Sequence, residues 1–413
     1  MKHIILTLTF LSCILTAGAQ TMYIWQKGVG TAVNESLAGD IIFSADGAAF
    51  TVLGKTFNTQ ATDSVTFGTE TVDPLTVSVN YNETTATAIL PIGLSDTVNV
   101  EIDGAYVSVI SQSLGGDEIT YSLTGTSANG AFTQDGTYKC TLVLNGINLT
   151  SQRGAAIDIQ NGKRIDVKLA EGTTNTLSDY AQGLQKACFY VKGHPEFSGK
   201  GTLNITGNAN HAFSTKEYTR LKSSTGTINI LSAKNDGMHV GQYLKVEGGN
   251  INVRNVEGDG LQAEATNDPL DEENGQVMIQ GGTIDIEVNA NDVKALRSDS
   301  LITISGGTIN IVVTGDGSKG IASGTDLIIN EDKAPVNIKV NSTGGEYVDP
   351  ANPVDTKKSH GISVDRNLTV TAGTLDISAT GKKGKSIKVD GISRKSSAAS
   401  IKTNPVYYFD FVI

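Results

Sequence analysis

A five-residue phrase returns along the second half of this chain: Gly, a polar residue, Ile or Leu, Asn or Asp, then Ile or Val. It starts at Gly201, Gly226, Gly249, Gly282, Gly307 and Gly373, with a degenerate copy, Ala334-Pro335-Val336-Asn337-Ile338, between the last two. Successive starts are 25, 23, 33, 25, 27 and 39 residues apart. A period near 24, broken by longer gaps, predicts a chain that stacks short repeats on one another and inserts loops between some of them.

A second signal, a small residue followed by an apolar one, precedes each phrase at Gly154, Cys188, Ala212, Gly237, Gly260, Ala295, Gly320, Gly361 and Ser386. Within one repeat the runs from Gly237, Leu244 and Asn250 are divided by Gly241 and by Gly248-Gly249. Alternation turns Met238, Val240, Leu244, Val246, Ile251 and Val253 inward, and His239, Lys245, Asn250 and Asn252 outward. Three short strands per repeat predict a right-handed parallel β-helix of about nine three-strand coils, a rod of ~40 Å at strand spacing.

The flanks are expected to be β as well. Residues 20–72 read as a short β leader segment and 73–138 as an N-terminal β cap. The β-helix itself would span 139–392, with a capping strand in 393–413. Two insertions, 265–276 and 343–358, interrupt the period, and loops on one face of such a stack often border its binding surface.

The 46 glycines, abundant Thr, Asn, Val and Ile, and few helix-forming runs agree with an all-β chain. Lys2, the apolar run from Ile4 to Leu15 and the small residues Ala17 and Ala19 form a secretory signal over 1–19. The expected location is therefore secreted or at the cell surface, including the periplasm or outer membrane of a Gram-negative bacterium. Residues 1–19 carry one Lys and no acid, so the formal charge of −11 becomes −12 without them. That balance argues against nucleic acid as a partner. No second apolar run approaches the ~20 residues of a membrane span, and the chain is expected to act as a monomer. Cys140 and Cys188 make no metal pattern, and Cys140, in phase with Leu142 and Leu144, is expected to be a buried free thiol.

Several stretches together resemble a known family. They are the run from Tyr138 to Leu149, Gly154-Ala155-Ala156-Ile157, Glu171 to Leu177, Gly199 to Ile205, Asn235 to Val240, and the recurring Gly-Gly-x-Ile. In these the chain is similar to the secreted, calcium-binding, β-helical carbohydrate-binding domains known from cellulolytic bacteria, relatives of pectate lyases. The resemblance covers residues 75–390. It implies binding of plant cell-wall glycans, including acidic ones such as polygalacturonate, with Ca²⁺ and no established catalysis.

Stacked repeats also make columns of outward residues. Two places before the inward apolar residue of the first strand stand Asp236, Asp259, Lys294, Lys319, His360 and Lys385. Asn235, Asp236, Glu257, Asp259 and Asp292 would then lie within two or three strand spacings, as hard oxygen ligands for Ca²⁺. The same residues before Gly also suit plain turns. Lys294, Arg297 and Lys319 would present a cationic line to uronate carboxylates. Asn229, Asn252 and Asn310 belong to a polar column, with Asn204, Asp285, Asn337 and Asp376, able to hydrogen-bond a glycan. Beside binding stand two alternatives. One is a calcium-dependent lyase with Arg254 or Arg297 as the base; the other is a structural or adhesive surface rod.

Overall fold

The computed structural model describes residues 21–37, 39–112, 118–268 and 270–411. The expected signal at 1–19 lies outside them. Among the described residues there is no α-helix, only two 3₁₀ turns at Glu35–Leu37 and Ile92–Leu94, and none long and apolar enough to cross a membrane.

Thr21–Gln26 pairs antiparallel with Val29–Asn34 and with Ser64–Gly68, and Ala49–Val52 lies between Ile42–Phe43 and Lys55–Asn58. Ile24, Val33, Phe50, Val52, Phe57 and Ile92 give the leader a small core of its own. Val29–Asn34 joins it to the rest by parallel pairing with Thr85–Pro91.

From there the chain builds two large sheets. In the twelve-stranded sheet, nine parallel strands run from Ile157–Ile159 through Ala187–Val191, His211–Thr215, Met238–Gly241, Leu261–Glu264, Lys294–Ser298, Lys319–Ser323 and His360–Val364 to Lys385–Val389. Val98–Asp103, Ala105–Ser111 and Gly130–Gly136 extend it at the start. The cap expected at 73–138 therefore continues the same ladders.

The larger, twenty-four-stranded sheet corrects the expected right-handed parallel β-helix of about nine three-strand coils. Its hydrogen bonding closes into a ring of ten parallel strands, a β-barrel with extra strands. One arc runs from Cys140–Thr150 through Arg164–Leu169, His194–Ser198, Thr219–Leu221 and Tyr243–Val246 to Gln276–Val288. The other returns through Asn250–Val256, Thr227–Ala233, Thr202–Gly207 and Thr174–Ser178.

Two long strands make the closure. Cys140–Leu144 pairs with one arc and Asn148–Thr150 with the other; Val277–Ile279 and Thr283–Val288 do the same at the far side. A glycine bends each strand, Gly146 at φ 76° and Gly282 at φ 84°, a conformation that side chains disfavour. The Gly pair at 281–282 thus lies inside one strand, whereas the pair at 248–249 divides two.

The side chains expected to point inward do so: Met238, Val240, Leu244, Val246, Ile251 and Val253 are all buried. Phe189, Phe197 and Phe213 pack edge to face beneath the twelve-stranded sheet, with centroids 5.4–6.3 Å apart. Cys140 and Cys188 are buried free thiols, and burial pushes the Cys140 thiol up to about 12. A thiol-specific chromophore is expected to react with neither cysteine in the native chain lacking residues 1–19, and with both in denaturant. Native reaction of either would mean that the core opens.

Candidate functional site

The outer surface of the twelve-stranded sheet carries two neighbouring columns. One runs Tyr190, Ser214, His239, Gln262, Arg297, Ala322, Ser363, Lys388, each residue in register with the next. The other runs His211, Asp236, Asp259, Lys294, Lys319, His360, Lys385, which is the expected column with one more member, His211, at its start.

At the His211 end a cleft of about 450 Å³ opens, lined by Tyr190, His211, Ser214, His239, Glu264 and Thr266 among others. Its rim includes Ala265, Thr266 and Asn267 from the first insertion, which is folded on itself by hydrogen bonds between Thr266 and Asn274. Asp236, only 6% exposed, lies behind the histidines. Its Oδ2 is 2.8 Å from His239 Nδ1 and 3.2 Å from His211 Nδ1, and the two imidazoles stack with centroids 4.3 Å apart. Burial alone would raise the Asp236 carboxyl, but its close contacts with the two histidines and the Asp259 N–H hold it well below the usual carboxylate range. Burial likewise disfavours the His239 imidazolium, and Asp236 and Glu264 together outweigh it, so this group is raised.

Next along the column, each buried acid serves the following rung. Asp236 Oδ1 accepts the Asp259 N–H at 2.7 Å, and Asp259 Oδ1 accepts the Lys294 N–H at 2.7 Å. Asp259 Oδ2 meets Arg297 at 3.2 Å, and Arg297 also reaches Asp299 at 3.1 Å. The two partners lean in opposite directions. Burial dominates at Asp259 and raises its carboxyl, whereas at Arg297 the two carboxylates outweigh burial and raise the guanidinium. The hydrogen bonds favour the charged pair.

Asp259→Ala is expected to lower stability by about 2–3 kcal/mol, by leaving a buried N–H and half of a guanidinium without a partner. Asp259→Asn, which keeps an acceptor, should cost much less. Urea denaturation of the two variants checks this; equal losses would mean that the charge, not the acceptor, matters.

Beyond Arg297 the surface turns basic. Lys294 reaches Asp292 at 3.5 Å and Lys388 reaches Asp390 at 2.7 Å, but Lys319, Lys358 and Lys385 have no ion pair among the described residues. Burial, then Lys294, lowers the Lys319 ammonium. His360, 4% exposed, is pushed down to about 4 by burial and by Lys319, Lys388, Lys385 and Lys358, and its Nδ1 accepts the Lys385 N–H at 3.3 Å. A base with a depressed folded value supplies stability above its unfolded value near 6.5 and loses it as pH falls through about 4. The full loss is roughly 3 kcal/mol. His360→Asn should therefore show a shallower fall in urea midpoint between pH 7 and 4.5 than the unchanged protein; parallel curves would overturn the assignment.

The residues expected to hold Ca²⁺ have partners within this chain. Asp236 and Asp259 face the partners above, Asn235 donates to Asn210, Glu257 pairs with Lys234 at 2.7 Å, and Asp292 faces Lys294. Of the expected substrate-binding residues, Lys319 is half-buried and has no ion pair among the described residues, while Lys294 and Arg297 are held by carboxylates of this chain. Asn229 and Asn252 lie on the barrel sheet, bonded in a ladder: Asn229 donates to Asn204 and Asn252 donates to Asn229, each at 2.8 Å. Asn310 follows Asp285 in that column, but its next neighbour is Lys339, and Asn337 pairs instead with Thr308. Arg254 is held by Asp285 at 2.5 Å and Glu287 at 3.8 Å, so neither candidate lyase base is free.

The sequence reading began the column at Asp236 and so missed His211; extending the two-before-apolar rule back to Phe213 finds it. Beside the barrel sheet, His194, Tyr218 and Tyr243 stack in a row with successive centroids 4.7 Å apart.

Parallel strands, an outward face graded from acidic to basic and a polar open cleft make up this all-β domain. The chain belongs to the family of carbohydrate-binding domain-containing proteins, whose model matches residues 103–382. A curated relative, a carbohydrate-binding domain-containing protein of Acetivibrio thermocellus, is 28% identical over 120 residues, 27% of this chain and 41% of that protein. The match thus spans less than half of the relative's length. Among solved structures, a polysaccharide lyase-like protein from C. thermocellum, as a gadolinium derivative, superposes with a TM-score of 0.51 at 24% identity. That match covers 63% of this chain and 99% of the other, and it speaks to fold alone.

Proposed function

We propose that this protein is exported and binds an acidic polysaccharide, of the polygalacturonate kind, along the outer face of the twelve-stranded sheet. The observation that carries this reading is the group of lysines without ion pairs among the described residues, Lys319, Lys358 and Lys385, on a chain of net charge −11. Like charges held near one another repel, and a polymer with regularly spaced carboxylates relieves that repulsion. Family membership supports the carbohydrate part of the reading. The basic stripe supports the acidic part.

Calcium comes from the resemblance. Its expected ligands are turned to other partners, so no step here depends on it. The test is retention of the protein on immobilised polygalacturonate and on a neutral glucan, with and without EDTA. Retention on the acidic glycan alone is the expected result, and retention lost in EDTA would restore a calcium bridge. Equal retention on both glycans, or on neither, would overturn the acidic assignment. Unsaturated uronate product would reveal a lyase.

A further inference from the structure

The contacts around Asp236 pose a problem of lone pairs. His211 Nδ1 accepts the main-chain N–H of Asp236 at 3.3 Å, so that nitrogen carries a lone pair rather than a proton. The same nitrogen lies 3.2 Å from Asp236 Oδ2. On the other side, His239 Nδ1 is 2.8 Å from that oxygen, while its Nε2 is 3.0 Å from Glu264 Oε2. If Nε2–H donates to Glu264, Nδ1 too presents a lone pair to Asp236. Three electron-rich atoms then converge, within 4.8 Å of one another, at the base of an open cleft. A proton on His239 answers one contact. A cation bound by all three atoms satisfies both contacts to Asp236 Oδ2 and takes the place of the long 3.3 Å amide contact at His211 Nδ1.

We propose that His211, Asp236 and His239 form a binding site for a divalent transition-metal cation of the zinc class. Two imidazole nitrogens and one carboxylate are donors for Zn²⁺ and its neighbours, and a poor set for the hard Ca²⁺, which takes six to eight oxygens. Bonds of 2.0–2.1 Å in a tetrahedral site put donor atoms about 3.3 Å apart, close to the 2.8 and 3.2 Å separations here.

Glu264 supplies the outer partner that metal-bound histidines commonly have, a carboxylate that fixes the tautomer and orients the ring. Its neighbours also agree: Asp236 is nearly wholly buried and its other oxygen is already bonded to the Asp259 amide. Three protein donors leave a coordination position facing the cleft, open to water or a ligand oxygen. The site is separate from the basic stripe, and its test needs no glycan.

The experiment uses untagged full-length protein stripped with EDTA and dialysed, then titrated with Co²⁺ as a visible reporter, with Zn²⁺ as competitor. One equivalent of Co²⁺ is expected to give the strong visible bands of a tetrahedral nitrogen–oxygen site, and Zn²⁺ to abolish them while excess Ca²⁺ does not. His239→Gln and Asp236→Asn are expected to remove the bands. Glu264→Gln should keep them with affinity reduced by about 10–100-fold. Glu264 is half exposed, so that variant serves even if the buried changes disturb folding, which thermal unfolding in EDTA reports. Absence of bands in the unchanged protein, or bands of full strength in both His239→Gln and Asp236→Asn, would overturn the site.

Discussion

Gly226→Ala is expected to lower stability by at least about 3 kcal/mol, whereas Gly162→Ala should leave it within about 1 kcal/mol of the parent. A Cβ at Gly226 would stand 2.1 Å from the carbonyl oxygen of Gly201 and 2.7 Å from the carbonyl carbon of Lys200. These are backbone atoms and cannot rotate aside. The Gly201 carbonyl also accepts the Thr227 amide at 3.1 Å, and the Gly226 carbonyl accepts the Asn250 amide at 2.9 Å. Any retreat therefore stretches hydrogen bonds on two rungs at once. Gly201 itself is as tightly held, since its Cβ would lie 2.4 Å from the Ala170 carbonyl oxygen. Around Gly162 no heavy atom lies within 4 Å of the built Cβ. Urea midpoints of the two variants give the comparison. A Gly226→Ala protein as stable as Gly162→Ala would mean that the recurring glycine is kept for something other than this close approach.

Much of this arrangement was legible because alternation and register are local. The inward and outward assignments from Met238 to Val253 needed only a period of two, and one correct pairing fixes every side chain along a strand. The column from Asp236 to Lys385 followed from the same logic. Its failures have physical causes. In the degenerate copy Val336, not Ala334, pairs with Gly307, so the column passes to Lys339 and Asn337 joins the threonines. The Gly pairs at 248–249 and 281–282 look alike as letters, yet only the second lies within a continuous strand, and the ring closes there. Spacing brought Asp236 and Asp259 to adjacent rungs, as expected. What spacing could not say was where each carboxylate turns, and both turn to the N–H of the next rung rather than to one another.

Replacing Lys319 and Lys385 together by Glu is expected to weaken retention on polygalacturonate by at least ~100-fold, since charge-assisted contacts contribute about 1.5–3 kcal/mol each. His360 separates the two in register, so the pair spans the stripe. The change should not unfold the protein. Lys319 is lowered by burial and by Lys294, so a carboxylate in its place removes one repulsion and offers Lys294 a partner. Net charge alone must be excluded, because four added units of negative charge repel any polyanion. The matched control is Lys168→Glu with Lys339→Glu, two exposed lysines on the barrel sheet without ion pairs among the described residues. The control should lose only a screened, long-range contribution that disappears at ionic strengths where the Debye length falls to a few ångströms. The stripe variant should stay weak there, because it lacks contacts rather than field. Equal losses in both variants would show that overall charge governs retention. Full retention by the Lys319/Lys385 variant would place the glycan on another face.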